Sequence, residues 1–124
     1  MAVGSCLCGA VTVTFEGALP APVACHCTLC RIQSGHVWAS VNLPRANTTI
    51  AGEDHVAWFR ATPDVRRGFC PTCGTVLFFH PDGDDHIAVS AGLFANPTGM
   101  VLKKHIFTAD KGDYYAIPEG EQQE

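Results

Sequence analysis

The stretch Gly68-Phe69-Cys70-Pro71-Thr72-Cys73-Gly74-Thr75 decides how this chain is read. Two thiols separated by two residues on a tight turn can grip one metal ion. A glycine just after them frees the backbone to aim N–H groups at the sulfurs. Two thiolates leave a tetrahedron half complete, so the pair needs a partner pair elsewhere in the chain. The remaining cysteines stand in two clusters, Cys6-Leu7-Cys8-Gly9 and Cys25-His26-Cys27-Thr28-Leu29-Cys30-Arg31. One division of the seven uses every thiol. Cys6, Cys8, Cys70 and Cys73 close one ion with four thiolates. Cys25, Cys27 and Cys30 hold a second ion with one position left open. Closed four-ligand zinc is structural, and three protein ligands with an open position is the catalytic pattern. Spacing leaves a rival pairing open, in which Cys70 and Cys73 join two thiols of the middle cluster and Cys6 and Cys8 stay free. Four thiolates also suit iron.

Composition sets the context. The 124 residues suit one domain, with 47% hydrophobic and 16% charged residues, a globular balance. A formal net charge of −4 opposes a nucleic-acid partner, which needs a basic surface. The first residues show neither a basic start nor an apolar run, and no stretch is apolar for the roughly 18 residues of a membrane span. A cytoplasmic protein with no membrane partner is the expectation. An odd cysteine count cannot pair fully within the chain as disulfides, and clustered cysteines in a reducing compartment serve as metal ligands or reactive thiols.

The rest of the sequence reads as strand. Residues 10–16 alternate apolar and hydroxyl side chains, and 36–43 alternate again, with Val37, Ala39, Val41 and Leu43 on one face until Pro44. Residues 56–60 are a short aromatic strand. Residues 75–80 and 86–90 form a hairpin around the turn Pro81-Asp82-Gly83-Asp84-Asp85, and 104–108 are a last strand. Residues 18–24, with Pro20 and Pro22, read as a connector. Thr28 to Ser34 is the one place for a helical turn. The expected domain covers 1–117, followed by a flexible acidic tail over 118–124. Such short strands enclose a small core, which metal crosslinks would help to hold.

Ligand type then speaks to chemistry. Three thiolates around Zn²⁺ leave a soft ion that favours a sulfur ligand over strong acidification of water. A substrate bound there as thiolate stays nucleophilic. Zinc deamination is excluded, because no His or Cys is followed two places on by the Glu that chemistry requires. Beside the open cluster, His26 is an acid/base or surface candidate, and Arg31 a candidate for a carboxylate or a carbonyl cap. Trp38 and Trp58 read as core residues. Two further functions fit the cysteines: a zinc module that presents a surface to a protein, and a thiol redox sensor.

The three clusters in this order resemble the glutathione-dependent formaldehyde-activating enzyme family, also called the centromere protein V family. Lys104-His105-Ile106-Phe107 and Asp110-Lys111-Gly112-Asp113-Tyr114-Tyr115 are similar to its C-terminal part, with tyrosines where many relatives carry Trp. The likeness runs from about Gly4 to Ile117. It implies a mainly β, Mss4-like β-tent of small antiparallel sheets crosslinked by zinc. It implies two Zn²⁺ per chain: a structural zinc on Cys6, Cys8, Cys70 and Cys73, and a catalytic-type zinc on Cys25, Cys27 and Cys30. The implied activity is that of a carbon–sulfur lyase, joining formaldehyde and glutathione as S-hydroxymethylglutathione. The basic segment of the centromere protein has no counterpart here.

Overall fold

Alternation along Thr12–Phe15 becomes strand β2, with Val13 and Phe15 buried and both threonines partly exposed. In the computed structural model, which describes residues 1–124, β2 is the middle of a three-stranded antiparallel sheet. It lies between β1 (Ala2–Ser5) and β5 (Thr48–Ala51). The other eight strands form a second sheet. They are β3 (Val23–Cys25), β4 (Trp38–Pro44), β6 (Ala57–Thr62), β7 (Val65–Phe69), β8 (Val76–Pro81), β9 (His86–Ser90), β10 (Lys104–Ile106) and β11 (Gln122–Gln123). Their order across the sheet is β11-β10-β3-β4-β9-β8-β7-β6. The mainly β fold and the β8–β9 hairpin follow the sequence expectation. Pairing departs from it at one edge, where β10 runs parallel to both β3 and β11.

Two departures bear on the site. Val23 and Ala24, expected in a connector, belong to β3, because the segment pairs with β4 on one side and β10 on the other. The acidic tail, expected to be loose, supplies β11. The Gln122 N–H donates to the Lys103 carbonyl at 2.9 Å, and the Glu124 N–H to that of His105 at 2.9 Å. Composition predicts a solvated tail, but a free strand edge with unpaired backbone groups captures it.

In its middle, around β4, β9 and β8, the large sheet packs on both faces. On one, Val41 and Leu43 of β4 meet Val13 and Phe15 of the small sheet and Val11 just before it, together with Ile87 and Val89 of β9. Trp38, of opposite parity on β4, turns to the other face and packs with Cys25 and Cys30. A bulge adjusts β8 to the same division. Gly68 of β7 pairs with Phe78 and Phe69 pairs with Val76, so Leu77 is the extra residue. Leu77 and Phe78 both enter the main core, while Val76 and Phe79 pack at the Trp38 face. Gly68 is required there, since a Cβ would sit 2.9 Å from Val56, 3.0 Å from Trp58 and 3.1 Å from Phe78.

Helix α1 (Thr28–Ser34) is the expected helical turn. The Cys30 N–H donates to Cys27 Sγ at 3.3 Å, so a candidate metal ligand also caps the helix. Gly35, in the left-handed region at φ 89°, ends it by donating to the Arg31 carbonyl at 2.9 Å.

Candidate metal centres

Two turns of similar build make the first centre. In one, the Cys6 N–H donates to the Val11 carbonyl at 2.9 Å and the Gly9 N–H to that of Cys6 at 3.1 Å. In the other, the Cys70 N–H donates to the Thr75 carbonyl at 2.9 Å and the Gly74 N–H to that of Cys70 at 2.7 Å. Gly9 and Gly74 have φ of 84° and 78°, which side chains rarely adopt. The Leu7 N–H reaches across to Thr75 Oγ1 at 3.1 Å and ties the turns together. The four sulfurs of Cys6, Cys8, Cys70 and Cys73 all lie within 4.8 Å of one another, and none forms a disulfide. Cys8 Sγ is 3.7 Å from both Cys6 Sγ and Cys70 Sγ. A tetrahedron with Zn–S bonds of about 2.3 Å has edges of about 3.8 Å, so the donors fit zinc. The Val11 N–H donates to Cys6 Sγ at 3.3 Å. The Thr75 hydroxyl and N–H beside Cys73 Sγ hold that thiol at about 5. Both favour thiolates, the form a metal takes.

The second centre is built differently. Cys25 ends β3, Cys27 caps α1 and Cys30 lies in its first turn, with the three sulfurs within 4.8 Å of one another. The rival pairing of Cys70 and Cys73 with this cluster is not what the fold brings together. The hydrogen bond from Cys25, opposed by burial and aided by the Arg67 guanidinium, holds the Cys30 thiol at about 5. The same bond, with burial, pushes Cys25 up. Arg67 of β7 is only 7% exposed. Its Nη1 lies 3.6 Å from Cys30 Sγ and 3.1 Å from Gln33 Oε1, and its guanidinium covers the Phe79 ring. Sequence reasoning missed Arg67. The one signal was a charged residue inside a strand segment next to a cysteine turn.

His26 points away from these sulfurs' shared partners and into a chain of hydrogen bonds. Burial and the neighbouring His105 hold its pKa down, and burial raises that of Tyr115. One ordering then satisfies every group. The Tyr115 hydroxyl donates to His26 Nδ1, His26 Nε2–H donates to His105 Nδ1 at 2.8 Å, and His105 Nε2–H donates to Glu121 Oε1 at 2.6 Å. Both histidines are buried, and the tail supplies the terminal acceptor. Tyr114 pairs with His36 Nδ1 at 2.8 Å. Arg31 lies near Tyr115, and its buried Nε has no hydrogen-bond partner. Trp38 Nε1 donates to Ser90 Oγ at 2.7 Å, and Trp58 stacks on Phe78 under Arg66, so both tryptophans pack.

Comparison with known proteins follows the same lines. The model of the family described as glutathione-dependent formaldehyde-activating enzyme matches residues 1–110. The chain belongs to this family. A Schizosaccharomyces pombe protein named an uncharacterized lyase is 26% identical over 113 residues, which span 90% of this chain and 82% of that protein. A crystal structure of a Rhodobacter sphaeroides protein superposes with a TM-score of 0.63 at 21% identity. It covers 81% of this chain and 97% of the other, and it supports the fold. In this member of the family, both cysteine groups can hold metal ions. No helix is long and apolar enough to cross a membrane.

Proposed function

We propose that this chain is a zinc-dependent carbon–sulfur lyase-type enzyme that makes or cleaves the adduct of a small thiol with formaldehyde. The observation that carries this reading is the convergence of just three thiols, Cys25, Cys27 and Cys30, beside a buried cation. Cys6, Cys8, Cys70 and Cys73 would hold a structural zinc, and the trio would hold the working one. A zinc ion bound there would supply a soft Lewis acid suited to a thiolate sulfur.

In the synthetic direction the thiol sulfur bonds to the carbonyl carbon. The carbonyl electron pair moves to oxygen, which takes up the proton the thiol gave up. Cleavage reverses each of these changes. The chain's own residues set the conditions. Arg67 places a positive charge against Cys30 and so offsets the excess of thiolate charge. Trp38, Val76 and Phe79 close the apolar side of the centre and limit water there. Family membership and the lyase-named relative support the reaction class.

Metal content and turnover test the reading together. The wild type is expected to carry about two zincs per chain, and Cys27→Ser about one, with the fold kept, because serine is also a favoured helix cap. That variant should lose turnover of thiol–formaldehyde adducts. Full activity in Cys27→Ser would overturn the proposal.

A further inference from the structure

Next to the second centre, and separated from its cysteines by Arg67 and Val76, lies a cleft of about 390 Å³ between α1 and the β6–β7–β8 strands. Leu29, Ile32, Phe59, Ala61, Phe69 and Val76 supply its apolar lining. Its other side chains are Gln33 and Arg67, and Gly74 completes it with backbone. Two contacts join it to the centre. Arg67 touches Cys30 Sγ, and Val76 packs on the Cys25, Cys30 and Trp38 cluster. Its outer walls are unusually greasy for a surface, with Ile32 71% and Phe59 60% exposed.

We infer that this cleft binds the organic part of the thiol substrate, and that it selects an apolar thiol, aryl or alkyl, over glutathione. The inference rests on the proposed lyase reading and adds the substrate class to it. Charge decides the matter. Glutathione presents two carboxylates and an ammonium group. The cleft has no acidic side chain to meet the ammonium, and its single cation already bonds Cys30 and Gln33. Glutathione's three charges find no partner in the cleft and have to stay at its solvent edge, which limits how much of the molecule can seat there. A hydrocarbon substituent instead removes the exposed surface of Leu29, Ile32 and Phe59 from water, at roughly 25 cal/mol per Å². The volume falls in the range of small-molecule sites, about 300–1,000 Å³.

The test uses the zinc-loaded full chain with formaldehyde and either benzyl mercaptan or glutathione as thiol. The expected result is a kcat/KM for benzyl mercaptan at least ~10-fold above that for glutathione, the scale an apolar pocket gives. Ile32→Lys, at an exposed position that leaves the core alone, should lower the benzyl mercaptan value and narrow the ratio. Equal or better turnover of glutathione by the wild type would overturn the inference while leaving the lyase reading intact. If neither thiol turns over, the lyase reading fails. Binding of S-benzyl probes then decides the cleft separately, by amide shifts at Leu29, Ile32 and Phe59 that Ile32→Lys weakens. An absence of those shifts overturns it.

Discussion

The two cysteine centres differ in what surrounds them more than in their ligands. The four-cysteine centre sits on two stiff glycine turns, and Cys6 and Cys70 are themselves part of the main core. It joins the first residues of the chain to the turn before β8, so it crosslinks the small sheet to the large one. The three-cysteine centre lies on the other face, within a small group of three buried residues. Polar chemistry surrounds it: Arg67 on one flank, and the Tyr115, His26, His105 and Glu121 chain on another. One fold thus keeps the two cysteine groups on opposite sides of a sheet.

The largest test of this contrast is Cys73→Ser against Cys27→Ser. Structural zinc contributes folding free energy on the order of 10 kcal/mol in small peptides. Cys73→Ser should therefore lose cooperative thermal unfolding, and Cys27→Ser should melt near the wild type. Similar melting curves for the two would erase the distinction. Next comes Leu77→Ala, which empties a fully buried place in the main core and should cost about 2–5 kcal/mol in denaturant titration. Val76→Ala, one residue along and on the other face, should cost clearly less. An equal loss would show that the bulge does not divide the faces as described.

Arg67→Met sharpens the comparison from the reactive side. It removes a charged hydrogen bond from Cys30 and Gln33, a loss of about 1.5–3 kcal/mol. Of the two zincs proposed, the one on Cys25, Cys27 and Cys30 should then pass faster to a chromophoric chelator, with the other unchanged. Unaltered release from both would remove Arg67 from the centre. The smallest expected effect is that of Glu121→Gln, which weakens the outer end of the histidine chain by about 1 kcal/mol. Melting should fall by a few degrees while zinc content stays the same. A variant as stable as the wild type would mean that β11 is held by its backbone alone.

Much of the site was legible because ligand chemistry is local. A thiol pair on a turn with a following glycine announces itself, and counting the seven cysteines offered one natural division beside a rival pairing. Helix α1 was legible from its place just after the central cysteines, and the structure adds that Cys27 caps it. The strands that were missed, β1, β3, β5, β7 and β11, are short and have weak alternation. Val23–Cys25 becomes strand only because β4 and β10 flank it. Arg67 was not legible as a site residue, since its partners Cys30 and Gln33 are distant in sequence and only sheet pairing brings them together.

By itself, then, the sequence determined the three cysteine clusters, the mainly β character and the chemistry that three thiolates favour. Each depends on residue type and near-neighbour spacing. Tertiary structure alone decided which turns face each other, which side of β4 meets the reactive centre, and that the tail's Glu121 completes a buried hydrogen-bond chain. It also placed one committed cation, with Gln33 beside it, in a cleft of otherwise apolar side chains. These follow from packing and desolvation, which sum over residues far apart in the chain and have no signature in any one stretch of it.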